Sequence, residues 1–473
     1  MQFPGFCGPA YQSRSLTANA QRCVNWYVEL DPSGNRGPSI LYPTPGLSVL
    51  TTVGSGPIRG VYAAGGSWLI VSGGELYRLT TGYVATLLVA LSTSTGPVSF
   101  CQAGTQAMMV DGSKGYGVDL SAWTAALIAD TDFPANPATC TALDGYFITH
   151  AAGGEQFNIS DPFDCFTWNA LDFASAESRN DALVAVNADG RELFLVGNDT
   201  VEVWANVGSS DFPFERVQGA LVEHGTPAPY SLARLPTSLF MLASDPHGDR
   251  YAAQCVGYQS TRITTTAIET EWRSYSTVSD ARAWTYQQDG HSFYVVNFPA
   301  ASKTWVYDAS TQAWHERAYY NAGVLEASRA FSHAYLNGVH LVGDRANSNI
   351  YAMSPDVYTD NGAAIRRIRT SPHLFAEGSM LFSGIFEAFF QPGVGVASGQ
   401  GSSPVAMLRI SRDGGQTYGI ERTASIGAIG NTRARSRWNR CGSGRDLVFE
   451  LSVSDPVKAV VVDAAIATVK GNS

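Results

Sequence analysis

Val61-Tyr-Ala-Ala-Gly-Gly-Ser-Trp-Leu-Ile-Val71 decides the fold. One apolar run meets two glycines and gives way to a second apolar run, which is two strands joined by a tight turn. The construction returns at Ala142-Leu-Asp-Gly-Tyr-Phe-Ile-Thr149 and at Ala334-Tyr-Leu-Asn-Gly-Val-His-Leu-Val342. Working outward, seven strand-rich stretches of roughly 40 to 53 residues begin near Pro57, Pro97, Pro137, Asp181, Ala228, Ala281 and Ala330, and recurrence at that period is the mark of β-propeller blades. Seven blades are expected. Six would result if two units shared one sheet, because the strand-like part of the second (97–128) is short.

The rest of the chain divides around that block. Residues 1–52 are irregular and rich in Pro, Gly and Asn, with one strand at Cys23-Val-Asn-Trp-Tyr-Val-Glu29 and a turn at Pro43-Thr-Pro-Gly46. Residues 53–372 hold the propeller, with further Asp-Gly hairpin turns at 189–190 and 289–290. Residues 373–473 carry strand patterns at Met380–Phe390, Val405–Ser411, Tyr418–Arg422, Leu447–Val453 and Ala459–Asp463, which together read as a β-sandwich. Helical periodicity is nearly absent, with a turn or two at most within 229–242. The fold class is all-β: a propeller plus a sandwich-like platform. The strand at 23–29 resembles nothing in the repeats, so its apolar face needs the C-terminal strands as partner and both chain ends should meet in one platform. Deleting residues 1–50 should then unfold the C-terminal region and leave a protease-resistant propeller.

Composition removes several classes. Charged residues are 15% of the chain and the formal net charge is −10, which offers no basic footprint for gripping nucleic acid. The seven cysteines include no C-x-x-C pair and read as reduced thiols, with Cys7 and Cys23 the one pair near enough in sequence to test as a disulfide. The start lacks the basic and apolar segments of a signal peptide, and the longest apolar run, 84–91, is too short to span a membrane. A soluble protein made in the cytoplasm, without a membrane anchor, is expected.

No catalytic set emerges. Ser411-Arg-Asp-Gly-Gly-Gln-Thr-Tyr418 is close to an Asp-box, in which Asp413 and the hydroxyls of Ser411 and Thr417 bond the turn around Gly415 while Tyr418 packs beneath. Sialidase propellers carry such boxes, so a glycan-binding or glycan-hydrolysing propeller is the alternative. The box is a folding device, however, and occurs once, outside the repeats. The histidines (His150, His224, His247, His291, His315, His333, His340 and His373) show no metal-ligand spacing. No cofactor is expected. Arg433, Arg435 and Arg437 alternate, followed by Trp438, Arg440 and Arg445. This is either an edge strand kept apart by charge or a contact with another subunit, since Arg and Trp favour interface centres.

Asn25-Trp-Tyr-Val-Glu29 followed by Leu41-Tyr-Pro-Thr-Pro-Gly-Leu47 resembles the opening of the tail hub, or nozzle, proteins of short-tailed bacteriophages, also called packaged-DNA stabilisation proteins. Tyr307-Asp-Ala-Ser-Thr-Gln-Ala-Trp-His-Glu-Arg317, the Asp413-Gly-Gly turn and Arg437-Trp-Asn-Arg-Cys-Gly442 are similar to later segments of that family, in order along the chain. The resemblance implies a structural virion protein with no catalytic residues. It implies a homohexameric ring beneath the portal and its adaptor ring, which extends the DNA channel, retains packaged DNA and conducts it at ejection. Tail spike, fibre or needle proteins would be further partners. Asn25, Trp26, Tyr27, Pro45 and Gly46 would build the platform, and the Arg433–Arg445 segment would face a neighbouring subunit or the adaptor.

Overall fold

The computed structural model describes residues 2–34, 37–176, 181–244 and 248–471; His247 lies outside them. The hairpins that open the blades turn as their sequences demand. Gly65-Gly66, Asp144-Gly145, Asp289-Gly290 and Asn337-Gly338 each place two successive residues at positive φ, the backbone that lets a two-residue loop follow the twist of its strands. At 189–190 the loop is shifted by one. Asp189 pairs with Glu192, so Gly190 and Arg191 make the turn.

Five four-stranded antiparallel sheets occupy residues 58–90, 99–127, 137–175, 183–222 and 233–262, and four antiparallel strands at 282–316 make a sixth blade within a larger sheet. The second unit is therefore a full blade, its strands short but complete. A seventh sheet joins Ala330–Leu336, Val339–Asp344 and Asn349–Ser354 to Gly46–Thr52. Second strands such as Ser67–Ser72 are buried along their whole length, because each blade is covered by a neighbour on both faces. That is why Trp68-Leu-Ile-Val71 reads as a continuous apolar run rather than an alternating one. Ala334, Leu341 and Ile350 of blade seven share a core with Val61, Trp68 and Ile70 of blade one and close the ring.

Gly46–Thr52 thus belongs to the propeller, against the division at residue 52. Its register with blade seven runs from Gly46 opposite Ser354 to Thr52 opposite Asn349. Gly46 is obligatory, since a Cβ there would lie 2.4 Å from the Val357 carbonyl oxygen and 2.6 Å from that of Thr359.

Two sheets form the platform, the first of five strands and the second an arm of the larger sheet that holds blade six. One orders Trp26–Leu30, Ser39–Pro43, Val461–Lys470, Leu381–Phe390 and Ser436–Gly444; the other orders Cys23–Val24, Arg367–Thr370, Asp446–Val453, Val405–Ser411 and Arg422–Ser425. Their shared core takes Phe3, Phe6, Trp26 and Leu41 from one chain end and Phe386, Trp438 and Phe449 from the other. The Phe3 N–H donates to the Ala464 carbonyl at 2.7 Å, and Phe386 stacks on Phe449 at 5.1 Å. The second sheet is continuous with blade six, because Cys23–Val24 pairs in parallel with Ala313–Glu316.

Several local expectations are corrected. The strand read over 23–29 is cut at Asn25, whose φ of 55° sends Cys23–Val24 into one sheet and Trp26–Leu30 into the other. The strand expected at Tyr418–Arg422 starts at Arg422, because the Asp-box turn holds the chain until then. The last strand runs over Val461–Lys470. An eight-residue helix, Thr266–Arg273, lies between blades five and six; Ile268 and Trp272, one turn apart, bury in the blade core. A single 3-10 turn, Pro229–Ser231, falls within 229–242. Cys7 and Cys23 are free thiols, and burial raises them to about 12 and about 11.

Candidate functional site

The five residues expected to build the platform gather where it meets the propeller. Asn25 is 1% exposed and saturated. Its Nδ2 donates to the carbonyls of Ala318 (2.8 Å) and Arg366 (2.9 Å), its Oδ1 accepts from the Ala318 N–H (2.9 Å), and its own N–H donates to the Glu316 carbonyl (2.9 Å). Trp26 turns into the sandwich core and donates from Nε1 to the Ala459 carbonyl at 2.8 Å. Tyr27, one residue on, faces the other way and packs on Phe293 and Tyr286 of blade six. The Pro45 carbonyl accepts from Nη2 of the buried Arg317 at 2.8 Å, and Gly46 starts the closing strand of blade seven.

An ion pair between a half-buried arginine and a buried carboxylate reinforces this weld. Arg22 grips Glu316 in a fork, with Nη2 to Oε2 at 2.7 Å. Burial favours the neutral acid, but the Arg22 guanidinium outweighs it and holds Glu316 below the ordinary carboxylate range. Neither residue was singled out from the sequence; one sits just before the 23–29 strand and the other almost three hundred positions away.

The arginine segment is an edge, as its charge suggested, though not one uniform face. Among the described residues Ser436–Gly444 is the outer strand of its sheet and pairs only with Leu381–Phe390. Arg433 lies in the turn before it, and Arg433, Arg435, Arg437, Arg440 and Arg445 are all exposed. Arg435 already has a partner in its own chain: its Nε and Nη2 each donate to Glu387 at 2.7 Å. Trp438 is withdrawn from the surface, 2% exposed in the sandwich core with Nε1 donating to the Arg422 carbonyl at 2.8 Å. An indole so placed offers nothing to a neighbour. Arg412 and Arg422, which sequence reasoning passed over, join Arg440 around a groove of about 440 Å³ beside Ile420, which is 86% exposed. Residues 409–445 hold eight arginines against two carboxylates, and that density was the available signal.

The Asp-box is a closed hydrogen-bond circuit. Ser411 Oγ donates to Asp413 at 2.6 Å and accepts from the Gly415 N–H at 2.8 Å, while Thr417 donates to Asp413 through both its N–H and its hydroxyl. The Ser411 and Thr417 hydroxyls hold the Asp413 carboxyl well below its ordinary range. Tyr418 packs against the Arg409 guanidinium, 5.2 Å from the ring centre. These groups are spent on one another. In the propeller, His333 Nε2 and His340 Nδ1 lie 3.0 Å apart, and burial together with the His340 charge holds His333 down to about 3.

A further constellation escaped the sequence because its members come from different blades. The inner strands of six blades, with the 3-10 turn and Leu232 that lead into blade five, wall a central cavity of about 340 Å³, and Arg59, Tyr230 and Arg282 line it.

No curated protein matches the chain by sequence. Among solved structures, the N-terminal domain of Nup159 shares 8% identity at a TM-score of 0.41, covering 70% of this chain and 98% of that one. A chain of the mitotic checkpoint complex shares 11% at 0.42, covering 69% and 95%. The extracellular domain of a putative one-component system of B. thetaiotaomicron shares 12% at 0.42, covering 66% and 40%. Likeness that distant carries no argument. Two family descriptions do match: "Bacteriophage P22 Gp10, beta-propeller" over residues 1–358 and "Bacteriophage P22 Gp10, beta-sandwich" over residues 366–469. With a propeller welded to a sandwich made from both chain ends, and both halves matched in order, the chain belongs to the P22 Gp10 family of tail hub and stabilisation proteins of short-tailed phages.

Proposed function

We propose that this structural tail protein forms a homohexameric hub ring below the portal and adaptor, where it prolongs the DNA channel, retains packaged DNA and conducts it at ejection. The observation that carries the reading is the in-order match of both P22 Gp10 family descriptions across propeller and sandwich. Two features support it. The weld around Asn25 and Arg22 makes propeller and platform one body, as a load-bearing ring requires. The exposed arginines beside Ile420 form an edge suited to a carboxylate-bearing neighbour, either another copy or the adaptor. An overall charge of −10 suits a conduit, because a wall that gripped phosphates would hold back moving DNA.

The mass of the particle formed by the purified full chain, alone and mixed with its connector ring, tests this. A ring of six is expected; a monomer under every condition overturns it. The same material should bind double-stranded DNA poorly at physiological salt. A hydrolase would need a general acid, and no Asp or Glu among the described residues lines the central cavity; turnover of a fluorogenic sialoside would nonetheless revive the glycan-active alternative.

A further inference from the structure

The central cavity inverts the sign of the molecule around it. Among the described residues its wall contains Arg59 from blade one and Arg282 from blade six, and no carboxylate. Three of the other titratable groups there are held neutral by burial, which raises the Tyr62 phenol, pushes the Tyr230 phenol up to about 12 and presses the His333 imidazole down to about 3.

The two arginines are held differently. Arg59 is fastened in place, with Nε donating to the Gly96 carbonyl (2.8 Å), Nη1 to those of Gly73 (2.9 Å) and Thr93 (2.7 Å), and Nη2 to Thr93 Oγ1 (2.8 Å). Burial depresses its pKa; Asp111 acts to restore it, while the charge of Arg282 opposes it further. Arg282 has no such harness. Its guanidinium makes no hydrogen bond or ion pair with any described residue, and burial, only partly offset by Tyr230 and Asp280 at a distance, lowers its pKa. A guanidinium left unpaired at a half-buried wall keeps its whole fork of donors for something else.

Shape narrows what that is. A space of about 340 Å³ fits a molecule of the size of a sugar acid or a small phosphate ester and is too small for a nucleic-acid duplex. One side of it is aromatic, with Tyr62 and Phe100 stacked at 5.5 Å and Trp284 close by. We propose that the propeller channel binds a compact organic oxyanion, carboxylate or phosphate, whose charged group sits against Arg282 and Arg59 and whose body lies on the aromatic wall. The inference is independent of the hexamer and of DNA conduction.

Calorimetric titration of the full chain tests it, with inorganic phosphate, citrate and N-acetylneuraminate as anionic probes and N-acetylglucosamine as the neutral one. Saturable one-to-one binding of at least one anion is expected, without binding of the neutral sugar. The phosphate and carboxylate probes separate the two sources of charge. Arg282→Gln should weaken the binding at least tenfold while the ligand-free melting temperature holds, because the side chain has no partner to lose. Should that variant fail to fold, the wild-type melting temperature is read instead, and it should rise with the bound anion above its value in chloride of equal ionic strength. The proposal is overturned if no anion saturates by about 10 mM, if binding survives intact in Arg282→Gln, or if the anion gives no shift beyond chloride.

Discussion

The side chain of Asn25 pairs with the backbone of Ala318 as a strand would, accepting its N–H at 2.9 Å and donating to its carbonyl at 2.8 Å. One amide thereby stands in for a residue of sheet at the place where the chain must leave it. Asn25→Ala should strand the Ala318 N–H together with the Ala318 and Arg366 carbonyls, at a cost of about 1–3 kcal/mol for each group left unpaired. The left-handed φ, which Asn tolerates better than Ala, adds to the penalty. Asn25→Asp keeps the shape but turns an oxygen toward two carbonyls, so it should do no better. Urea denaturation of the three proteins checks this; an Asp variant as stable as the parent would show that the Nδ2 bonds contribute nothing.

Arg435 and Arg437 alternate along one edge yet should fail differently. Arg435→Glu sets a carboxylate against Glu387, which is buried and has lost its guanidinium, so the isolated chain should melt earlier. Among the described residues Arg437 donates only to Asn439, at 3.2 Å, so Arg437→Glu should leave the melting temperature unchanged and act on ring assembly or adaptor docking alone. Melting curves beside particle masses separate the two; normal rings from Arg437→Glu would reduce this edge to a solvated border.

Truncation has a sharper outcome than the sequence suggested. Removing residues 1–45 takes away the platform strands but spares Gly46–Thr52, so the propeller should stay protease-resistant while residues 373–471 become cleavable. Extending the cut to residue 52 removes the outer strand of blade seven, and the propeller should then open as well. Limited proteolysis with mass mapping distinguishes the two truncations.

Acid should weaken the fold through its buried imidazoles. His150 is held down to about 4, chiefly by burial, with Nε2 3.1 Å from Thr139 Oγ1. Its folded pKa lies below the unfolded value, so its contribution is intact above about pH 6.5 and is lost as pH falls toward 4, approaching about 3 kcal/mol. Asp360 works in the opposite sense. Burial raises it to about 6, so the folded state gains as pH falls from 6 toward 4. His315 and His333, each held to about 3, side with His150, and the sum is a loss on acidification. Urea midpoints measured between pH 7 and 4.5 should fall. His150→Asn should reduce the slope by up to one proton, about 1.4 kcal/mol per pH unit; an unchanged slope would mean that His150 titrates normally.

What could be read in advance was what is written locally. Glycine-bearing turns and apolar runs repeat within each blade, and a hairpin needs only its own ten or twelve residues to declare itself. The partner of Gly46–Thr52 lies at Asn349–Ser354, and nothing within a seven-residue strand says which edge it will cover. Asn25 looked like one member of a strand because its left-handed φ is a property of the junction, not of Asn25-Trp-Tyr. Trp438 was legible and was misjudged. If Arg435 and Arg437 face water, strict alternation sends Ser436 and Trp438 inward, where they are found. Arg59 and Arg282 open inner strands more than two hundred residues apart, and only ring closure brings them to one cavity.

The closing strand of blade seven is made first and used last. Gly46–Thr52 leaves the ribosome roughly three hundred residues before Asn349–Ser354, a wait of about 15 to 60 s at bacterial rates of synthesis. Throughout that interval blade one has no neighbour on its open side, and Trp26, Leu41 and Leu47 have nothing to bury against. Nascent chains of this protein therefore spend most of their synthesis as an open arc with a sticky leading end. Crowded polysomes should favour capture of that end by the last blade of an adjacent chain, so its characteristic failure in the producing cell is strand-exchanged dimers rather than unfolded monomers.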